Sequence, residues 1–213
     1  MHSCPLCLHQ ETTDFFKDKR RKYLQCEKCS LIFVDPACRL DAVAEKAMYD
    51  LHENDPEDQR YRTFLSRFSN PLLDRLGGKQ QQGLDFGCGP GPTLSLMMAE
   101  RGHEVELYDL YFYPDKRVLE KQYDFVTCTE VIEHFYHPQK EWALLLSLVK
   151  PGGWLGIMTK LARDVDAFAT WHYKNDVTHV SFFSKETFMF LAHRDQLTIE
   201  FVCNDVILLR KPQ

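Results

Sequence analysis

Apolar and polar residues follow two alternating patterns through most of this chain, from about residue 79 onward. Short apolar runs typical of buried strands lie at 83–86, 105–109, 123–127 and 154–159. The stretches 93–101 and 139–149 between them carry apolar residues at helical spacing. This alternation predicts a parallel sheet with right-handed crossovers. Only residues 110–122 separate the second and third of these strands, so any strand there is predicted to be short or degenerate.

The C-terminal end of the chain departs from this alternation. Two apolar runs, 197–203 and 206–210, are separated only by Asn204 and Asp205, which suit a short turn. Two strands joined in this way pair as an antiparallel hairpin. The sequence therefore predicts an α/β protein whose parallel sheet ends in an antiparallel hairpin.

The first third of the chain is organised differently. It begins with a turn-rich segment that ends in the strand-like run 31–34, and the spacing across 39–76 is then helical. A break at Asn54, Asp55 and Pro56 divides the helical part into two. We predict a small module at 1–36, a helical lid or linker at 37–78 and the main domain at 79–213.

Composition limits the classes of protein that fit this pattern. A chain of 213 residues with 44% apolar and 13% aromatic content buries one substantial core and has room for only a small appended module. A formal net charge of −5 argues against a protein wrapped in nucleic acid, although a local basic patch is compatible with it. Neither a membrane-spanning apolar run nor a signal-peptide pattern occurs, so we expect a cytoplasmic protein without membrane partners.

Four of the eight cysteines form two pairs with metal-ligand spacing near the N-terminus. The pairs are Cys4 with Cys7 and Cys26 with Cys29, each a CxxC turn. Two such turns bring four thiolates into a tetrahedron, which predicts a closed, structural zinc ribbon. A redox pair is the alternative, but the thioredoxin-like context that would support it is missing.

Five of the six residues at 17–22, between the two cysteine pairs, are basic. On the exposed loop of a ribbon they are either a solvated turn or a surface for RNA phosphates. The acidic remainder of the chain favours the solvated turn.

A glycine-rich turn follows the first strand of the main domain and opens a helix. Its sequence, residues 85–91, is DFGCGPG, and Asp109 ends the next strand, where a carboxylate can bind ribose hydroxyls. Dinucleotide enzymes use a related turn to hold pyrophosphate at a helix N-terminus. Here the acidic Asp85 beside the turn suits a cationic ligand and would repel a pyrophosphate.

These motifs resemble class I methyltransferases that use S-adenosylmethionine (SAM), in particular the type 11 and type 23 methyltransferase domains and the ubiquinone methylases. Residues 85–91 are similar to their first motif, 123–135 (YDFVTCTEVIEHF) to their fourth strand and 148–155 (LVKPGGWL) to the turn into their fifth. The resemblance implies a Rossmann-like fold and SAM as cofactor. It implies cofactor-binding roles for Asp85, Gly87, Cys88, Gly89, Gly91, Asp109, Leu110 and Thr129. Tyr111, Phe112 and Tyr113 either flank the adenine or are packing aromatics.

Methyl transfer from a sulfonium is an in-line displacement that needs alignment, exclusion of water and sometimes a base. Residues 171–188 (WHYKNDVTHVSFFSKETF) resemble the stretch that borders the substrate pocket in small-molecule methyltransferases. The resemblance favours His179 as an active-site residue, followed by His134 and then Glu130. A histidine that only packs or caps a helix is the alternative for both.

A metal is a second interpretation of the same residues. Glu130, Glu133, His134 and His179 resemble, in type and order, the two Glu and two His around magnesium in small-RNA 3′-end 2′-O-methyltransferases. The EVIEH motif at 130–134 also occurs in metal-free methyltransferases, and this ligand set suits several metals. Tyr49 and Tyr61, before the sheet, are expected to be core aromatics, with a lid over SAM as the alternative.

Three functions therefore remain open at this stage. The leading one is methyl transfer from SAM to an O, N or C atom of a small molecule. The first alternative is methylation of RNA, either tRNA or an RNA end, guided by the ribbon. The second is a SAM-binding adaptor without catalysis, in which the ribbon recruits a partner.

Overall fold

The computed structural model describes residues 2–49 and 55–213; the predicted break at Asn54 lies outside them. The described strands are β1 Thr12–Lys17, β2 Lys22–Cys26, β3 Ile32–Val34, β4 Gln82–Phe86, β5 Glu104–Tyr108, β6 Tyr123–Thr129, β7 Val149–Met158, β8 Ser181–Phe182, β9 Thr198–Phe201 and β10 Val206–Arg210. The described α-helices are α1 Ala42–Tyr49, α2 Gln59–Leu76, α3 Thr93–Ala99, α4 Pro138–Leu148, α5 Val165–Thr170 and α6 Lys185–Arg194. Shorter 3₁₀ helices cover Pro36–Cys38, Lys116–Glu120, Ile132–His134 and His172–Asn175.

The main sheet has six strands in the order β5-β4-β6-β7-β10-β9. Strands β5, β4, β6 and β7 are parallel, as the strand and helix alternation predicts. β10 is antiparallel to both β7 and β9, which confirms the C-terminal hairpin. The predicted α/β class with a Rossmann-like sheet that ends in a hairpin is thus the observed fold.

The short segment between β5 and β6 contains no further strand among the described residues. An isolated bridge joins Asp109 and Tyr113, and the 3₁₀ helix Lys116–Glu120 follows. The 3₁₀ helix begins after Asp115, whose carboxylate accepts a hydrogen bond from the Arg117 N–H. The strand predicted to be short or degenerate is therefore reduced to a bridge and a turn.

Helix α2 packs on one face of the sheet. Its N-terminus is capped by Asp58, whose side chain accepts from the Arg60 N–H. Leu65, Phe68 and Leu72 are buried at helical spacing, and a methyl group on Gly156 of β7 would lie 2.6 Å from the Phe68 ring. This close approach places α2 beside the carboxyl-end half of β7.

The N-terminal module forms a second sheet with the main domain. Its strands run in the order β1-β2-β3-β8, and β8 comes from the segment just before α6. The buried Cys4 and Leu6 belong to the same apolar cluster as Trp142 of α4. The predicted module at 1–36 therefore shares both a sheet and a core with the rest of the chain, and its boundary at residue 36 stays a prediction.

One element boundary differs clearly from the sequence prediction. Residues 150–153 were predicted as a turn, but β7 begins at Val149 and includes them. The C-terminal tail explains this difference, since the Lys211 N–H donates to the Gly153 carbonyl and the Gly152 N–H donates to the Lys211 carbonyl. Among the described residues, no helix combines the length and the apolar character that crossing a membrane requires.

The contact between β4 and β6 yields a stability prediction. A methyl group on Gly83 would lie 2.1 Å from the Phe125 ring of the neighbouring strand. Gly83→Ala should therefore destabilise the fold by about 1–3 kcal/mol, the usual cost of overpacking a core. Urea unfolding measures this change. The control is Gly78→Ala, where an added methyl meets nothing within 4 Å; equal stabilities of the two variants would contradict the close packing.

Candidate active site

The glycine-rich turn between β4 and α3 has a backbone that only glycine adopts easily. Gly87 and Gly89 have φ angles of 78° and 65°, in the left-handed region. A methyl group on Gly87 would also lie 2.4 Å from the side chain of Val131. The turn is fastened to the end of β5, because the Gly87 N–H donates to the Tyr108 carbonyl over 2.7 Å.

Asp85 ends β4 directly below this turn and is 2% exposed. Its carboxylate accepts a hydrogen bond of 2.7 Å from the Thr127 hydroxyl of β6. Burial raises the pKa of Asp85 to about 6, and the charge of Asp109 adds to the rise. A cationic ligand above Asp85 would stabilise its ionised form.

Asp109 organises the far side of the turn. One carboxylate oxygen accepts from the Gly89 N–H at 3.1 Å, and the other accepts from the N–H groups of Tyr111 and Phe112 at 2.8 and 3.1 Å. The half-buried Asp109 thus holds the glycine-rich turn against the segment after β5. Its predicted contact with a ribose stays a prediction.

The remaining predicted cofactor residues surround this turn. Cys88 is buried, Leu110 is 61% exposed beside Asp109, and Thr129 ends β6 in a half-buried position. The Tyr111 ring lies 5.4 Å from the Tyr49 ring of α1. Tyr49, predicted to be a core aromatic or a lid, thus meets Tyr111, predicted to flank the adenine or to pack.

Glu130 follows β6 in a strained conformation, with a φ of 54°. Its N–H donates to the Met158 carbonyl over 2.7 Å, which holds the backbone in place. The Oε1 atom of Glu130 is buried and has no hydrogen-bond partner among the described residues. Burial raises the pKa of this carboxyl to about 7, against the opposing charge of Lys160. A group with this pKa exchanges a proton readily near neutral pH.

Glu133 is fully buried and tied to two hydroxyl groups. It accepts a hydrogen bond of 3.0 Å from Thr159 and another from the Tyr173 hydroxyl. The Tyr173 hydroxyl also lies 3.3 Å from Glu130 Oε2. Burial and the charge of Glu130 raise the pKa of Glu133 to about 8. Tyr173 therefore links the two carboxyl groups of the EVIEH motif.

The two candidate histidines stand ring to ring, with their centroids 4.7 Å apart. His179 Nδ1 lies 2.8 Å from the Tyr173 carbonyl, and His134 Nδ1 lies 3.3 Å from the Thr178 carbonyl. A carbonyl only accepts, so both Nδ1 atoms carry the hydrogen when the rings are neutral, and both Nε2 atoms hold a lone pair. Burial lowers the pKa of His179, which favours its neutral form.

Three of the four residues of the predicted divalent-metal site come together. Potential ligand atoms of Glu133, His134 and His179 lie within 4.8 Å of one another. Glu130, the fourth residue of the predicted set, lies outside this group of ligand atoms. A metal at the remaining three residues stays a prediction.

A cleft of about 1030 Å³ opens between the N-terminal module and the main domain, and Glu130 is not itself one of the residues that line it. The Glu130 carboxyl senses the charges of Lys160, Asp205 and Arg67, all of which line this cleft. The module contributes part of the opposite wall through Phe15, Gln25 and Ser30. The cleft therefore borders the carboxyl end of β7, the edge at which parallel α/β sheets bind ligands.

The four cysteines of the module form one cluster. Sulfur atoms of Cys4 and Cys29 lie 3.6 Å apart and those of Cys7 and Cys26 lie 3.5 Å apart. Tetrahedral zinc with bonds of about 2.3 Å would separate its sulfur ligands by roughly 3.8 Å. All four sulfur atoms lie within 4.8 Å of one another, so the donor set and its geometry fit such an ion.

Two residues of this region were not identified as functional from the sequence. Tyr173 lies in the stretch 171–188 that resembles the border of a substrate pocket, and its hydroxyl connects Glu130 with Glu133. Arg21 was counted in the basic run at 17–22, whereas its side chain is only 6% exposed. The single available signal for Arg21 was its position just before the apolar strand β2.

Comparisons with known proteins agree with this fold. One similar structure is 1,6-didemethyltoxoflavin-N1-methyltransferase from Burkholderia thailandensis, with bound 1,6-didemethyltoxoflavin and S-adenosylhomocysteine. It superposes with a TM-score of 0.54 and 16% identity, and the match covers 94% of this chain and 99% of that one. The PH0226 protein of Pyrococcus horikoshii OT3 gives a TM-score of 0.53 and 18% identity, covering 78% and 99% of the two chains. At these identities the likeness shows the fold alone.

The sheet order is the Rossmann-like arrangement that the sequence motifs imply for a class I methyltransferase domain. A family model described as a methyltransferase domain matches residues 51–200, and the chain belongs to this family. Ubiquinone biosynthesis O-methyltransferase of Salmonella newport (strain SL254) is 38% identical over 76 residues. That match spans 36% of this chain and about a third, 31%, of the curated relative.

The raised pKa of Asp85 predicts a pH-dependent cost to stability. Because its folded pKa of about 6 exceeds the ordinary value of 3.8, the fold favours the protonated form. The resulting stabilisation is complete below about pH 4 and is lost as the pH rises through 6. Asp85→Asn should remove this loss, which amounts to about 3 kcal/mol.

Urea unfolding of both proteins at pH 4.5 and 7.5 tests this prediction, since about 2 of these 3 kcal/mol is lost between the two pH values. Other buried acids, such as Glu130 and Glu133, contribute to the pH dependence of both proteins and therefore cancel in the difference. Parallel stability curves for the two proteins would show that Asp85 ionises normally in the fold.

Proposed function

We propose that this protein transfers a methyl group from SAM to an O, N or C atom of a small molecule bound in the cleft between the N-terminal module and the main domain. The cleft is the observation that carries the proposal. Its volume of about 1030 Å³ is at the upper end of the range for small-molecule sites, and it mixes aromatic and charged walls. The small-molecule names of the similar methyltransferases support the same substrate class.

SAM binds, in this proposal, across the glycine-rich turn. Asp85 lies on the side of the cationic aminoacyl end of SAM. Asp109 accepts from the ribose hydroxyls and keeps its hydrogen bond with the Gly89 N–H of the turn. Cys88, Leu110 and Thr129 complete the walls around the nucleoside. The bound cofactor supplies an electrophilic methyl group, and the protein aligns the acceptor and excludes water.

Glu130 is the carboxyl group that we assign to proton removal from the acceptor. Its pKa of about 7 suits a base near neutral pH, and its Oε1 atom is unpartnered among the described residues. His179 and His134 lie behind it, on the other side of Tyr173, and hold the wall of the site. The order of importance predicted from the sequence, with His179 first, is thereby reversed in this proposal.

Methyl transfer tests the proposal directly. Radiolabelled SAM is incubated with the protein and a cell extract, which is then separated into small molecules, RNA and protein. We expect label in the small-molecule fraction. Glu130→Gln should lower the rate by about 10²- to 10⁴-fold, the usual contribution of a general base, without weakening SAM binding in calorimetry. Glu27→Gln, at an exposed position of the N-terminal module, is the matched control.

Each other outcome points to one of the alternatives. Label in RNA would replace the small molecule with an RNA acceptor guided by the module. SAM binding without label in any fraction would leave the adaptor function. A full rate in Glu130→Gln would remove Glu130 from the chemistry while leaving methyl transfer in place.

We propose in addition that the four clustered cysteines hold a structural zinc ion, which closes the N-terminal module and takes no part in the chemistry. Elemental analysis should find about one zinc per chain, and Cys26→Ser should lose it because three thiolates leave the tetrahedron open. Cys203→Ser is the matched control, since Cys203 is exposed and outside the cluster. Protein purified without any bound metal would contradict the assignment.

A further inference from the structure

The side chain of Arg21 is buried and uses all five of its N–H donors. Nε donates to the Tyr23 hydroxyl at 3.1 Å. The other four N–H groups reach backbone carbonyls of one loop: Lys174, Asp176 at 2.9 Å, Val177 at 3.2 Å and His179 at 2.9 Å. The N-terminal module thus reaches across to the loop that carries His179.

The same loop supplies the carbonyls that orient the two histidines. Its remaining carbonyl groups at Tyr173 and Thr178 face the Nδ1 atoms of His179 and His134. Six carbonyl groups of the loop 173–179 thus face side-chain nitrogen atoms: four accept from Arg21, and two face the imidazole rings. Any shift of the loop backbone would move both sets together.

Arginine is suited to this role, and lysine is not. Beyond the 3₁₀ helix that ends at Asn175 the loop is irregular, so most of its carbonyls lack the partners that a helix or sheet ladder supplies, and buried carbonyls need donors. A planar guanidinium offers five donors in fixed directions, whereas an ammonium offers three from a single point. Asp18 also connects the module to the loop 173–179, because it accepts from the Tyr23 hydroxyl at 3.2 Å and lies 3.8 Å from Lys174 Nζ.

We propose that Arg21 is a positioning residue of the active site: it fixes the loop 173–179 and thereby holds His179 and His134 as Nδ1–H tautomers, with their Nε2 lone pairs directed away from the loop carbonyls. This inference rests on the proposed function only where it concerns the rate of methyl transfer. The effect of Arg21 on the two histidine rings is independent of any substrate.

Nitrogen-15 NMR of the histidine side chains at pH 8 tests this role. In the unmodified protein both rings should show the Nδ1–H pattern, assigned with His179→Gln and His134→Gln. In Arg21→Gln and Arg21→Lys the nitrogen shifts of His179 and His134 should move towards the mixture of tautomers seen in free imidazole. Arg20→Gln is the matched control, because Arg20 is the exposed residue next to Arg21 in the turn between β1 and β2.

Methyl transfer to the labelled acceptor fraction should fall in both Arg21 variants by about 10²-fold, as expected when a reacting geometry shifts by about 1 Å. Affinity for SAM in calorimetry should stay the same, since the glycine-rich turn does not contact Arg21. A failure of Arg21→Lys to restore the rate would support the need for the planar group, and a full rescue by lysine would overturn it.

Two results would overturn the proposal without involving the acceptor. One is an Nε2–H pattern for either ring in the unmodified protein, a measurement that holds even if the variants fail to fold. The other is an unchanged ring pattern in a folded Arg21 variant. If no acceptor is labelled but the ring shifts change as expected, the proposed function fails and the positioning role of Arg21 stands.

Discussion

The loop 173–179 lies between α5 and β8, and beyond its initial 3₁₀ turn it has no regular secondary structure. Its buried polar groups must therefore find partners elsewhere. This constraint shapes the rest of the molecule. Arg21, His134 and His179 supply donors to its carbonyls, and Val180, just beyond it, donates to the Glu133 carbonyl over 2.8 Å. The N-terminal module, the EVIEH turn and the loop therefore form one hydrogen-bonded unit around the candidate site.

The site concentrates acids that the fold does not fully stabilise. The pKa values of Asp85, Glu130 and Glu133 are all raised, chiefly by burial. Buried carboxyls with raised pKa cost stability when they ionise, so a protein retains them where a ligand or a reaction compensates. Asp85 faces the proposed site of a cationic cofactor, and the Glu130 carboxyl senses the charges of Lys160, Asp205 and Arg67, which line the cleft. The cost is thus localised where binding of a cation or transfer of a proton would offset it.

The N-terminal module illustrates how a small unit gains support from its neighbour. A segment of this size buries little apolar surface by itself, and such segments depend on metals or on partners. Here β3 pairs with β8 of the main domain, Tyr23 and Phe182 pack in one cluster, and Arg21 enters the neighbouring loop. The module is consequently a wall of the cleft as well as a candidate zinc site.

Local chemistry carried in short segments could be predicted from the sequence. The turn at Gly87 and Gly89 needs a backbone that glycine alone adopts easily, the CxxC pairs have the spacing of a metal site, and the short link at Asn204 and Asp205 allows only a tight hairpin. These constraints act within a few residues, so the amino-acid sequence alone predicts them. The same holds for the strand and helix alternation, which determined the class of the sheet.

Tertiary structure alone decided which distant groups meet. Arg21 belongs to a run whose composition is typical of a solvated turn, yet packing against residues 174–179, more than half the chain away, buries it. Glu130 and Glu133 share one motif, but it is Tyr173, 40 residues beyond Glu133, whose hydroxyl joins their carboxylates. Side-chain type and spacing specify which chemistry is available. Long-range backbone pairing and burial determine which of those groups act together, because both depend on contacts that no short stretch of sequence contains.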